Sequence, residues 1–193
     1  MVEVEILERC SWAASEPCLT YHDEEWGVPV RDDVLLFEML TLEGAQAGLS
    51  WETVLKKREG YRDGFANFDV TKVAEFGPGD VERLMLDAGI IRNRAKILST
   101  INNALRILEI QADGSSFSDV VWSFVGGIPI EPGRANLDEV PAKTEISIQM
   151  SKHLLKRGFK FVGPTICYAF MQAAGLVNDH TENCFRYNAN RSK

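Results

Sequence analysis

The sequence predicts an all-α fold. Three observations carry the prediction: apolar residues recur at helical spacing along most of the chain, these runs open on capping residues and stop at glycines, and strand alternation is scarce. The first run spans about Asp33 to Leu42. A Ser50 cap opens a second that continues to Arg58, and Asp69 caps a third that ends at Glu75. A fourth runs from Asp80 to Ala88 with Gly89 as its stop, and a long fifth from Arg92 to about Ile110. Further helices start after Ser116 and after Thr144. The last starts at Gly163-Pro164, where proline at the first helical position suits a helix start, and it ends at Gly175. Gly126, Gly127, Pro129, Pro132, Gly133 and Pro141 make the stretch 126–143 an irregular connection. The segment beyond it, about 50 residues, is marginal as an independent core, so 1–193 reads as a single domain of two lobes sharing a cleft.

A chain of 193 residues, 45% apolar and 25% charged, can bury a sizeable core without disulfides. It shows no N-terminal apolar leader segment and no apolar run of the roughly 18–20 residues a membrane span needs. Four sparsely spaced cysteines fit a reducing, cytoplasmic setting. The net charge of −7 speaks against a surface that grips nucleic acid everywhere, because phosphate neutralisation calls for a Lys/Arg surplus. Positive charge is instead local, in Lys56-Lys57-Arg58, in Arg92 to Lys96, and in Lys152 to Lys160.

Cys10, His22, His180 and Cys184 supply two thiolates and two imidazoles, a complete donor set for tetrahedral zinc that would clip the N-terminus to the C-terminus. His180 and Cys184 have His-x3-Cys spacing, which places both on one face of a helix or tight turn. Cys10 and His22 must be brought together by a loop. Taken alone the pattern is weak, since buried cysteines commonly pack as small hydrophobes. Cys18 and Cys167 read as ordinary free thiols, Cys167 within the helix-core run Ile166-Cys167-Tyr168-Ala169-Phe170. Four protein donors leave no open position for water, so such a site is structural.

Aromatic and acidic residues gather in two further places. Trp12 lies beside Cys10, and Tyr21-His22-Asp23-Glu24-Glu25-Trp26-Gly27 mixes aromatics, acids and a metal donor. In Leu42-Glu43-Gly44-Ala45-Gln46-Ala47-Gly48-Leu49-Ser50-Trp51 an acid ends an apolar helix, against the unfavourable end of its dipole. Two glycines there permit close backbone approach, and an aromatic opens the next helix. From Ser151 onward a basic amphipathic helix ends at Arg157-Gly158, a turn runs through Phe159 to Gly163, and a small-residue helix follows from Pro164 to Ala174.

That last unit, at about 151–175, resembles the helix-hairpin-helix of DNA repair glycosylases, in which a hairpin ending in glycine presents backbone N–H groups to a DNA phosphate. Together with Arg9-Cys10-Ser11-Trp12, Tyr21 to Pro29, Leu42 to Trp51, Asp87 to Arg92 and Lys156 to His180, it makes residues 9 to 184 similar to the DNA-3-methyladenine glycosylase I family. The resemblance implies a helix-hairpin-helix glycosylase-like bundle whose termini are joined by one structural zinc on Cys10, His22, His180 and Cys184. It implies a monomeric enzyme acting on double-stranded DNA that contains alkylated adenine. By resemblance, Trp12 and Trp51 stack on the flipped-out base and Tyr21 adds an edge contact. Glu43 accepts hydrogen bonds from the adenine edge, and Glu43, Tyr21 and Trp51 form the catalytic group. Gly48 and Leu49 would plug the gap left in the duplex, while Lys160 and Gly163 would hold its backbone.

Departures from the wider superfamily narrow the chemistry. Bifunctional relatives carry a lysine just after the hairpin glycine, whereas Gly163 is followed by Pro164-Thr165, which implies no lyase step. Where other relatives activate water with an aspartate this chain has Asn178, and an amide cannot act as general base. Asp179 stands one residue on. Family members often carry an aromatic between the positions of Pro17 and Tyr21, where this chain has Cys18-Leu19-Thr20 and is one residue shorter. Two other readings stay open: a module that binds alkylated DNA without excising anything, which Asn178 fits, and a hydrolase with an open metal site on His22, Asp23 and Glu24.

Overall fold

Residues 7–190 are described by the computed structural model, and among them there are helices but no strand. The ends of the 1–193 range lie outside the described residues. The helices are α1 Cys18–Glu24, α2 Asp33–Gln46, α3 Trp51–Leu55, α4 Arg58–Gly64, α5 Val70–Ala74, α6 Pro78–Leu86, α7 Arg94–Ala112, α8 Phe117–Ser123, α9 Glu145–Lys156, α10 Pro164–Ala173 and α11 Phe185–Ala189.

Capping chemistry sets most of the starts. The side chains of Asp32, Ser50, Asp69, Asn93, Ser116 and Thr144 each accept a backbone N–H from the first turn that follows. Asp80 is not a cap but the third residue of α6, reaching back to the Gly77 N–H at 3.1 Å. The helix therefore starts at Pro78, two residues ahead of the predicted Asp80. Asn93 likewise moves the start of α7 from Arg92 to Arg94. The predicted helix from Ser50 to Arg58 ends at Leu55, because Arg58 turns inward to pair with Glu38 and Glu25 and begins α4. Helix α9 begins at Glu145, directly after the predicted Thr144, since Thr144 and Ser147 cap each other across the first turn. Helices α1 and α11, seven and five residues long, are too short to show a period and carry no capping side chain.

Helix α2 is the axis of the packing. Every residue from Leu36 to Ala45 is buried, so the helix is enclosed on all sides by α3, α7, α8 and α10. Its own Phe37 is fully buried, as are Phe65, Phe68, Phe117, Phe159 and Phe170 from elsewhere in the core. The irregular stretch 126–143 is anchored by two isolated parallel bridges, Ile130 with Val177 and Arg134 with Thr181. Main-chain bonds of 2.8–2.9 Å join these segments, so the connection lies along the C-terminal run that carries His180. No helix is long and apolar enough to cross a membrane among the described residues.

Candidate active site

Burying α2 from Leu36 to Ala45 forces a decision on the two acids within that span. Glu38 is 4% exposed and takes Arg58 Nε at 2.5 Å and Arg62 at 2.9 Å. Glu43, in the last turn of the same helix, is 6% exposed and has no hydrogen-bond donor or cation against its carboxyl among the described residues. Burial alone pushes its pKa from the ordinary 4.5 to about 8.

Glu43 faces a cavity of about 450 Å³ lined by Trp12, Tyr21, Trp26, Gln46, Trp51, Leu137, Val140, Ala169 and Gln172 as well. Tyr21 comes from α1, Trp51 from the start of α3, and their rings lie 5.3 Å apart at 55°. Trp12 stands edge-on to Trp26 at 5.1 Å and 77°. Burial, and secondarily the Glu43 charge, hold the Tyr21 phenol well above its usual pKa, so it stays neutral. The Trp51 indole N–H is buried without a hydrogen-bond partner among the described residues.

The four donor side chains from the two ends of the chain come together behind this cavity. The ligating atoms of Cys10, His22, His180 and Cys184 all lie within 4.8 Å of one another, and all four residues are buried. Both imidazoles are oriented from outside. His22 Nδ1–H donates to Asp23 at 2.8 Å, and Arg9 in turn grips Asp23 with bonds of 2.7–2.9 Å. His180 Nε2–H donates to the Trp26 carbonyl at 3.0 Å. Each ring therefore turns a lone pair, His22 Nε2 and His180 Nδ1, toward the sulfurs, the arrangement found behind metal-ligating histidines. Hydrogen bonding from Cys10 pulls the Cys184 thiol pKa down, and the same contact with burial pushes Cys10 up. His180 and Cys184 lie on a tight turn before α11, the second of the two alternatives their spacing allowed. Cys18 is half-buried on α1 and Cys167 is buried in α10 with its Sγ on the Val162 carbonyl, both free thiols.

The open-metal reading fails on these contacts: Asp23 is paired with Arg9 and the far side of His22, and Glu24 is exposed. Asn178 is buried outside the cavity lining, its Nδ2 donating to the Tyr187 carbonyl at 3.0 Å. Asp179 is also buried, accepting from Tyr168 Oη at 2.5 Å and Gln172 Nε2 at 3.0 Å and pairing with Arg134 at 3.3 Å. Neither is poised as a base.

Gly44 packs against the hairpin turn, where a Cβ would meet Phe161 at 3.3 Å, whereas Gly48 has φ +81 and opens onto space. Of the two glycines expected to permit close approach, Gly48 serves the turn instead. Leu49 beside it is 43% exposed. A second recess of about 240 Å³ joins this loop to Thr165 and Ile166 of α10 and shares Glu43, Gln46 and Ala169 with the larger cavity. Lys160 is exposed on the turn before α10, its backbone held by Asn103 at 2.8 and 2.9 Å. Gly163 is the N-cap of α10, with no capping side chain and nothing within 4 Å of where a Cβ would stand. Several basic residues are structural: Arg58 pairs inward, Lys57 reaches the Ala88 carbonyl at 2.7 Å, and Lys96 bonds the carbonyls of Ala45 and Ala47.

Sequence reasoning did not place Trp26, Gln46, Leu137, Val140, Ala169 or Gln172 in the cavity wall. Ala169 and Gln172 share a face of α10 at i, i+3 spacing, a signal that was available. Leu137 and Val140 lie in the irregular stretch, which offers no period to read.

A family model described as methyladenine glycosylase matches residues 12–187. The chain is 55% identical to DNA-3-methyladenine glycosylase 1 of Escherichia coli (strain K12) over 96% of its own length and 100% of that protein. It is 49% identical to DNA-3-methyladenine glycosylase of Haemophilus influenzae, covering 91% of this chain and 96% of the other. Among solved structures it superposes with a TM-score of 0.90, at 36% identity and 97% and 98% coverage, on Staphylococcus aureus 3-methyladenine DNA glycosylase I, whose structure addresses 3-methyladenine recognition. An all-helical chain with these aromatic, acidic and Cys/His constellations, matched along nearly its whole length, belongs to the methyladenine glycosylase family.

Proposed function

We propose that this chain is a monofunctional DNA glycosylase that flips 3-methyladenine out of alkylated duplex DNA and hydrolyses its N-glycosidic bond, the first step of base excision repair. One observation carries the reading: Glu43, a buried acid with no counter-ion, faces a cavity walled by Trp12, Tyr21 and Trp51. Methylation at N3 gives the purine a positive charge and makes it a good leaving group, so no general acid is required. Recognition is the task. A planar cation gains from the π faces of Trp12 and Trp51. Glu43 loses its proton to solvent water through the open cavity as that charge arrives and then accepts hydrogen bonds from the adenine edge, while neutral Tyr21 adds an edge contact. A normal adenine brings no charge and gains less from each of these groups. Water then attacks C1′ of a bond already weakened by the base's charge.

In this reading the stretch from α9 to α10 is the helix-hairpin-helix of a single domain of two lobes that share the cleft. Gly163 lets a phosphate approach the start of α10, Lys160 adds charge, and Gly48 and Leu49 fill the gap in the duplex. Pro164 leaves no amine next to the hairpin glycine for a Schiff base, which fits a glycosylase without lyase activity. Cys10, His22, His180 and Cys184 would hold one zinc ion. Tetrahedral zinc with ordinary bond lengths has S···N edges of about 3.6 Å; Cys184 Sγ lies 3.4 Å from His22 Nε2 and 3.5 Å from His180 Nδ1, and Cys10 Sγ 3.6 Å from His180 Nδ1. Zinc bound by four protein donors supplies a structural clip. A monomer in the reducing cytoplasm keeps both thiols available for it.

The test is to incubate the protein with methylated duplex DNA and to chromatograph the released bases. Free 3-methyladenine is expected, with the DNA strand left uncut at the abasic site. Tight binding without release would assign a binding module instead.

A further inference from the structure

Two amides line the cavity, Gln46 and Gln172, and they differ in how they are held. No hydrogen bond fixes the Gln46 side chain among the described residues, so it can turn either end to a base. Gln172 is fixed. Its Nε2 donates to Asp179 Oδ2 at 3.0 Å, and that carboxylate is itself held by Tyr168 Oη at 2.5 Å and Arg134 Nε at 3.3 Å. A carboxylate ion-paired to a guanidinium only accepts hydrogen bonds, so the amide nitrogen must face it and the amide cannot flip. Its oxygen is left without a donor among the described residues, on a side chain that lines the cavity. The Gln172 carbonyl also accepts the Gly27 N–H at 3.1 Å, tying this turn of α10 to the Trp26-Gly27 corner.

We propose that Gln172 Oε1 is a fixed acceptor for the exocyclic amine of the base and sets selectivity for adenine over guanine, with Asp179 as the positioning residue. The inference rests on the glycosylase reading. Adenine carries an amine where guanine carries O6, an acceptor. A guanine would set its oxygen against Gln172 Oε1, placing two acceptors face to face against the aromatic wall of the cavity, which costs more than one lost bond.

The experiment measures kcat/KM for release of 3-methyladenine and of 3-methylguanine from the same methylated duplex. Gln172→Met keeps the length of the side chain and removes its polar atoms. It is expected to lower the ratio of the two by about tenfold, the worth of one hydrogen bond with its desolvation. Asp179→Asn lets the amide turn its NH2 toward the cavity and should lower the ratio further, by raising 3-methylguanine release. If Asp179→Asn fails to fold, Gln172→Met decides alone. An unchanged ratio, or an equal fall for both bases, would overturn the inference by reducing Gln172 to a packing role. If the unsubstituted protein releases no 3-methyladenine, the glycosylase reading itself fails, and this inference with it.

Discussion

Glu43 shows what burying a single acid without a counter-ion costs the fold. Its carboxyl titrates near 8 in the folded protein against an ordinary 4.5, so the fold binds that proton more tightly than the unfolded chain does. The associated stability is fully present below about pH 4.5 and is lost as pH rises toward 8. Glu43→Gln removes the titration. Its melting temperature should match the parent at pH 5 and exceed it at pH 8 by about 2–4 °C for each kcal/mol recovered. Excision should fall on the order of a hundredfold, since losing one partner of a buried charge pair costs about 2–5 kcal/mol. Differential scanning calorimetry across this range with parallel excision assays checks both; a lower melting temperature at pH 8 would make Glu43 a core residue.

At the scale of an element, the end of α2 is the part that must not move. Lys96, from the first turn of α7, donates to the carbonyls of Ala45 and Ala47 at 2.7 and 2.9 Å, replacing the partners those groups lose where the helix stops. Glu43 sits one turn before this tie and Gly48-Leu49 one step after it. Lys96→Met should cost about 1–3 kcal/mol, the usual worth of hydrogen bonds to a charged group, and should speed amide exchange from Gly44 to Leu49. Unaltered exchange there would mean the tie is incidental. The helix itself was legible, since the apolar run from about Asp33 to Leu42 marks its body. Its extension to Gln46 was not, because the stabilising group comes from α7, far along the chain. The same holds for the break after Leu55, set by Arg58 reaching Glu38. Caps are local and readable, whereas inward-turning charges depend on what the fold brings opposite them.

For the whole molecule, the Cys/His cluster joins the N-terminal segment, α1, and the run before α11 at one point. Trp26 links it to the cavity, with its ring 4.6 Å from that of His180 and its carbonyl on the same imidazole. If the cluster holds zinc as proposed, a chelator is expected to lower the melting temperature by about 10 °C or more and to disorder the tryptophans seen by near-ultraviolet circular dichroism. Excision should fade in step, and zinc should restore all three. Loss of excision at an unchanged melting temperature would point to a catalytic metal. These four donors were readable because few residue types bind metal and their chemistry marks them wherever they stand. Trp12, Tyr21, Glu43 and Trp51, which line the cavity, were drawn out by their clustering and by the family resemblance. Leu137 and Val140 carry no such mark; two backbone bridges bring their segment to the cleft, and no side-chain pattern announces a bridge. The two buried acids of α2 show what the architecture accomplishes. Glu38 finds its arginines within the chain, and Glu43, five positions on, is denied one. On the function proposed above, a damaged base entering the cavity would be the counter-ion that Glu43 lacks within the chain.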